Sequence, residues 1–184
     1  VMSDNETGGR VIMRHVCDLG HRNIGVILGD LTDVTRKRLR GMLGVCEELG
    51  LEIPPCNIKE ARFHDSSLTY FATQELLRLS DRPTCIIFQD DYSYIGGLNA
   101  IHDAGLSIPE DISTVGYDGI GLSRIISPRL VTYYQDTVTM GKRAVELLIS
   151  NIEGNKPEKT AYEVRGHLLD GGSVRRITAA EEHR

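Results

Sequence analysis

Residues 106–118, LSIPEDISTVGYD, constrain the fold of this 184-residue chain more than any other segment. Pro109 begins a polar turn, and the β-branched residues of 112–115 follow it. Such a run is typical of a strand buried inside a parallel sheet. Asp118 follows where this strand opens into a loop. Because ligands of open α/β sheets bind at the carboxyl ends of the strands, the segment predicts an acid at the edge of a binding cleft.

The rest of the chain alternates short apolar runs with amphipathic stretches. Strands are predicted near residues 24–28, 58–63, 84–88 and 131–135, and glycines such as Gly50 and Gly105 end the intervening helices. This order predicts an α/β fold with a parallel sheet flanked by helices on both faces. Residues 160–169 alternate loosely, as an edge strand does, and Thr137 is expected to cap a late helix.

Helical spacing also predicts which side chains face the core. The helix after Asp65 is expected to carry an apolar face that consists of Leu68, Phe71, Ala72, Leu76 and Leu79.

Composition narrows the class of protein. The net charge of −5 argues against a nucleic-acid surface spread over the whole chain. Four scattered cysteines without a CxxC pair predict neither a metal site nor a redox motif, and they suit the reducing cytoplasm. No apolar run approaches transmembrane length, so no membrane partner is expected. The first residue, Val1, indicates a fragment of a longer protein.

Polar and aromatic residues follow four of the predicted strands. Asp33 and Arg38 follow the first, Phe63 the second, Asp90 and its neighbour Asp91 the third, and Asp118 the fourth. All should meet at one edge of the sheet. An arginine fork and carboxylates bind hydroxyl groups, and an aromatic ring covers the apolar face of a sugar or a base. The set therefore predicts a site for a small polyhydroxylated ligand.

Each of these residues also has a plainer interpretation. Phe63 suits a core position at a strand end, and Asp118 suits a turn in which it accepts from backbone amides. Either Asp90 or Asp91 suits the N-cap of the next helix, and of the two we prefer Asp91 for that role. Arg38 is the one basic residue of its helix start that we assign to the site rather than to solvent.

Enzyme motifs are missing. No GxGxxG follows a strand, and there is neither a Walker loop nor a nucleophile elbow. We therefore expect a protein that is not an enzyme and needs no cofactor. An α/β enzyme that uses Asp90 and Asp118 as an acid–base pair stays open as an alternative.

Several segments occur in the order typical of one family. They are VMSDNETGG, LGHRNIGVI, RLRGM, RPTCIIFQDD, AGLSIPEDISTVGYD, SPRLVTYYQDTVTMGKRAVELLISNIEG and a weak GGSV. With them the chain resembles the lactose/galactose-repressor (LacI/GalR) family of bacterial transcription regulators.

The resemblance implies a two-lobed effector domain like that of periplasmic binding proteins. Residues 3–134 would form the C-terminal lobe, 135–160 would belong to the N-terminal lobe, 161–177 would return, and 178–184 would be a tail. The DNA-binding helix-turn-helix would lie upstream and is absent from these residues.

The resemblance also implies roles for single residues. Arg38 matches the arginine that grips effector hydroxyls, Phe63 the aromatic residue that stacks on the ligand, and Asp118 an acid that contacts it. Asp90 stands where many members have asparagine. The implied protein is a homodimer whose affinity for operator DNA changes when a sugar-like effector binds. A solute-binding protein of a sugar transporter, which shares the fold, is the alternative.

Overall fold

The structure is a computed structural model that describes residues 1–155, 159 and 161–178. The predicted tail therefore lies outside the described residues except for residue 178, as do four residues within 156–160.

A six-stranded sheet forms the centre of the fold. Its strands are β2 (Ile24–Leu28), β3 (Ile58–Glu60), β4 (Cys85–Ile87), β5 (Ser113–Asp118), β6 (Val131–Tyr134) and β8 (His167–Leu169). They lie in the order β3-β2-β4-β5-β6-β8. The first five in this order are parallel, and β8 pairs antiparallel with β6 at the edge, which confirms the predicted sheet.

Helices cover both faces of this sheet, as the sequence predicts. On one face α1 (Asn5–Asp18) and α2 (Asp33–Leu49) bury Ile12, Val16 and Met42 against the strands. On the other, α3 (Ser66–Leu77) and α4 (Tyr94–Asp103) bury Leu76 and Ile101. A single turn of 3-10 helix, Pro55–Asn57, precedes β3, and α5 (Leu122–Ile125) lies between β5 and β6. The apolar strands thus form one core layer under each helix pair.

Two elements stand apart from the main sheet. The strands β1 (Met2–Ser3) and β7 (Glu163–Val164) pair with each other as a separate parallel ribbon. The helix α6 (Thr137–Ile152) has no buried residue, although Val138, Val145 and Leu148 among others give it an apolar side.

Three details differ from the sequence prediction. Asp136 rather than Thr137 caps α6, because its carboxylate accepts from the Thr139 amide at 3.0 Å. On α3, Leu68 and Phe71 are exposed, at 41% and 61%. Their helical spacing resembles that of the core positions, but α4 and the sheet cover only the side of α3 that carries Ala72 and Leu76.

The helices α1 and α2 approach each other closely through glycine. A Cβ on Gly9 would lie 2.0 Å from the carbonyl oxygen of Arg38, and one on Gly41 would lie 2.0 Å from that of Glu6. Both contacts are with backbone, which cannot rotate away. Glycine at these positions therefore fixes how near α2, and the arginine it carries, comes to the start of α1.

We predict that Gly41→Ala destabilises the fold, because the new methyl group would force the two helices apart. Overpacking of this kind costs about 1–3 kcal/mol of unfolding free energy. The matched control is Gly141→Ala in α6, where a Cβ meets nothing within 4 Å. There alanine should be neutral or stabilising by up to ~1 kcal/mol. Urea denaturation of both variants measures the difference, and equal unfolding free energies would contradict the packing argument.

Candidate functional site

The parallel strands β2, β4 and β5 end at the same edge of the sheet, and the polar residues predicted for the site follow them. Here Arg38, Phe63 and Asp118 come together. The Arg38 guanidinium lies 3.7 Å from the Asp118 carboxylate and 5.6 Å from the centre of the Phe63 ring. The structure therefore brings these three predicted residues to one place.

Arg38 is the centre of this group and is only 8% exposed. Its Nε donates to Oδ1 of Asn5 at 3.0 Å, and one terminal nitrogen donates to the carbonyl oxygen of Gln89 at 2.8 Å. The guanidinium plane lies over the Tyr117 ring, with 3.4 Å from Cζ to the ring centre. Partners from α1, the loop after β4, and β5 thus hold the side chain in one orientation.

Asp118 has an unusual backbone conformation. Its φ of 109° lies in the region that non-glycine residues rarely adopt, and such outliers cluster at functional sites. Its Oδ1 accepts from Nε2 of Gln135 at 2.5 Å. Burial raises the pKa of this carboxyl, and the nearby Arg38 charge and the Gln135 hydrogen bond oppose that shift. At 3.7 Å the Arg38–Asp118 pair is too long for a direct hydrogen bond, so both groups keep hydrogen-bonding capacity for a ligand.

Phe63 closes the other side of the group. Its half-buried ring lies against Gly29, where a Cβ would come within 2.6 Å of the ring. Its backbone amide donates to Oδ2 of Asp30 at 3.3 Å. A cavity of about 20 Å³ lies beside Phe63, Arg38 and Gln89, which is space for one water molecule rather than a ligand. These residues accordingly form a wall and not an enclosed chamber.

Asp90, predicted as a ligand contact, lies beneath the site and is fully buried. Its carboxylate accepts from the amide of Ser93 at 2.6 Å, the hydroxyl of Ser93 at 2.8 Å and the amide of His64 at 3.0 Å. Ser93 is the residue that precedes α4, and it makes no side-chain cap hydrogen bond, so the N-cap role that we preferred for Asp91 was wrong. Asp90 instead holds the turn that leads into this helix. The geometry supports a role in holding the turn next to Phe63 rather than direct contact with a ligand.

Asp33 does not join the group. Its side chain is 76% exposed at the start of α2, 4.0 Å from Arg36 and 3.9 Å from Lys37. The sequence prediction placed it at the correct end of the sheet, but the first turn of α2 directs its carboxylate to solvent. We remove Asp33 from the site.

Four further residues support the site and escaped the sequence prediction: Asn5, Gln89, Tyr117 and Gln135. Gln89 and Tyr117 each stand next to a predicted site residue, in the QDD and GYD segments, so the sequence contained an indication of their position. Asn5 and Gln135 reach the site only through long-range folding, and no local pattern marks them.

In the described part of the chain, no group of three or more His, Cys, Asp or Glu side chains is arranged to hold a metal ion. Within those same residues, no helix has the length and apolar character needed to span a membrane.

Comparisons with known proteins identify the family to which the chain belongs. Residues 13–174 match the family model described as a periplasmic binding protein-like domain. The HTH-type transcriptional repressor PurR of Pasteurella multocida (strain Pm70) is 36% identical over 169 residues, which cover 91% of this chain and 50% of the repressor. The chain thus spans about half the length of the curated relatives it matches.

Solved structures give the same result. The transcriptional regulator CelR in complex with cellobiose superposes with a TM-score of 0.86 at 26% identity, over 93% of this chain and 52% of that one. The lac repressor dimer bound to operator and the anti-inducer ONPF gives 0.85 at 25% identity, over 95% and 60%. The chain therefore belongs to the periplasmic binding protein-like domain family, and its relatives there are LacI-type transcriptional repressors rather than enzymes.

Proposed function

We propose that this chain is the larger part of the effector-binding region of a bacterial transcription regulator. A sugar or a similar small polar ligand binds against Arg38, Phe63 and Asp118. The observation that carries the proposal is the convergence of a buried cation, an aromatic ring and an acid at one edge of the sheet. Cellobiose in the CelR complex is a ligand of this polyhydroxylated kind.

The wall formed by these residues needs an opposite face. We assign residues 3–134 and 161–177 to one lobe and 135–160 to a second lobe that faces it. The separate β1–β7 ribbon supports a crossing point between lobes. The exposed apolar side of α6 supports packing against further protein, because burying Val145 and Leu148 there would remove apolar surface from water.

Regulation then follows from differential binding. The effector makes different contacts in two arrangements of the lobes and shifts the equilibrium between them. A typical coupling free energy is about 1–3 kcal/mol. The regulator is proposed to act as a cytoplasmic homodimer that binds operator DNA through a separate domain. The lac repressor structure, a dimer on operator, supports that assembly.

A thermal-shift screen of sugars, sugar phosphates and purines on a chain that includes both proposed lobes tests the function. We expect at least one neutral, hydroxyl-rich compound to raise the melting temperature, because a ligand that binds only the folded state stabilises it. If no compound of these classes does so, the proposed function is wrong.

Phe63→Ala should weaken binding of the compound found in that screen by roughly tenfold, about 1.4 kcal/mol, because the apolar contact with the ring is lost. The matched control is Phe71→Ala on α3, whose ring is 61% exposed and outside the site. Titration calorimetry compares the two dissociation constants. Equal weakening by both variants, or none by Phe63→Ala, would remove Phe63 from the site.

Arg38→Ala should affect both binding and folding. The substitution leaves the acceptor atoms of Asn5 and Gln89 without their donor, at a cost of about 1–3 kcal/mol in unfolding free energy. The control is Arg36→Ala, two residues earlier on the exposed side of α2. Denaturation and calorimetry together are expected to show loss of stability and of binding for Arg38→Ala alone. An Arg38→Ala protein with unchanged stability would contradict the buried network.

A further inference from the structure

Asp91 is a fully buried acid that the proposed ligand contacts do not include. Its Oδ1 accepts from the hydroxyl of Thr132 at 2.6 Å, and its Oδ2 accepts from the amide of Ile120 at 3.0 Å. The Thr132 hydroxyl oxygen in turn accepts from the amide of Gly119 at 3.3 Å. The amide of Asp91 itself donates to the carbonyl oxygen of Tyr117 at 2.8 Å. These bonds enclose the turn of residues 118–120 from one side.

That turn is strained and carries a site residue. Asp118 and Gly119 have consecutive positive φ values of 109° and 69°. A non-glycine residue holds such a conformation only where the surrounding structure enforces it. The carboxylate of Asp91 supplies the acceptors for the turn, directly at Ile120 and through Thr132 at Gly119.

The neighbouring strand, β5, leaves space for the Asp91 carboxylate. A Cβ on Gly116 in β5 would lie 2.2 Å from Oδ1 of Asp91, so only glycine leaves room for the acid. The glycine of the GYD segment, two residues before Asp118, thus admits the group that holds the turn after it.

We propose that Asp91 is a positioning residue, which holds the left-handed turn 118–120 so that Asp118 faces Arg38 and the ligand. The inference deepens the proposed function and rests on it only in the claim that Asp118 contacts a ligand. The statement that Asp91 orients Asp118 concerns the ligand-free protein and is tested there.

Electrostatics support this role. Burial raises the pKa of Asp91 to about 7, the hydrogen bonds from Thr132 and Ile120 lower it, and the charge of Asp118 raises it. Asp118 is the titratable group that faces Asp91, while Arg38, Asp90 and His64 act in turn on Asp118. Because the folded-state pKa exceeds the usual 3.8, the stabilising contribution is full below about pH 4 and is lost as the pH rises through about 7. At neutral pH the buried carboxylate of Asp91 therefore lowers the free energy of unfolding while its oxygens order the turn. A loss of stability of this kind is typical of a functional site rather than of a packed core.

The test is an amide exchange and pH titration experiment by NMR on the wild-type protein and Asp91→Asn. We expect Asp91→Asn to accelerate exchange at the Ile120 amide roughly tenfold. It should also shift the side-chain amide of Gln135, which donates to Asp118. The unfolding free energy at pH 8 should not fall, because the variant removes a charge that burial disfavours. Asp111→Asn is the control, since this exposed acid accepts from the amide of nearby Ser107 at 2.8 Å and lies outside the turn 118–120.

The pH dependence of the amide resonances distinguishes a positioning role of Asp91 from a merely structural one. In the wild type, the Gly119, Ile120 and Gln135 amide resonances should share a midpoint near pH 7. The midpoint should vanish in Asp91→Asn and persist in the control His64→Gln, because the His64 ring lies beside Asp90 rather than Asp91. A midpoint that persists in Asp91→Asn, or unchanged exchange at Ile120, overturns the proposal.

One further variant tests the proposal if Asp91→Asn does not fold. Thr132→Val removes the hydroxyl that joins Asp91 to Gly119 and should accelerate amide exchange at Gly119. No shift of the wild-type resonances and no change in Thr132→Val would also overturn the proposal. If the protein binds no small polar compound, the proposed function is wrong. The exchange rates and pH midpoints measured without ligand would still decide the role of Asp91.

Discussion

The burial of one guanidinium organises this end of the molecule. Arg38 is 8% exposed, and a buried cation is tolerated only when its donors and its charge are satisfied. Asn5, the Gln89 carbonyl, the Tyr117 ring and Asp118 together meet that requirement. These partners come from the first helix, the loop after β4, and β5. The position of Arg38 is therefore coupled to the start of α1 as well as to the sheet.

The framework of the fold was predictable because its signals are local. The apolar run at 24–28 became β2 with those bounds, and Gly50 ends α2 in the left-handed conformation, as helical spacing predicts. The site was predictable in part, since strand ends of a parallel sheet meet at one edge. The prediction failed in the direction of single side chains. Asp33 points to solvent from the first turn of its helix, and both Asp90 and Asp91 turn inward to hold loops instead of contacting a ligand or capping α4. Spacing along the chain does not determine whether an acid turns inward.

Acidic groups dominate the polar layer under the site, and each orders a different turn. Asp90 holds the turn next to Phe63 and Asp91 the turn after Asp118, while Asp118 stays partly exposed beside Arg38. Burial raises the pKa values of Asp91 and Asp118, and perturbed pKa values of this kind cluster at functional sites. Because Asp90 and Asp91 are engaged in holding turns, only Arg38, Phe63 and Asp118 remain as the proposed ligand contacts.

The most direct test of the central claim is a crystal structure of the two-lobed protein with a compound that stabilises it. We expect hydroxyl groups of the ligand to lie within about 3.2 Å of the Arg38 guanidinium and the Asp118 carboxylate, with a ring face of the ligand on Phe63. A ligand bound elsewhere, for example in the open depression between α1 and β8 beside Arg14 and Arg165, would contradict it.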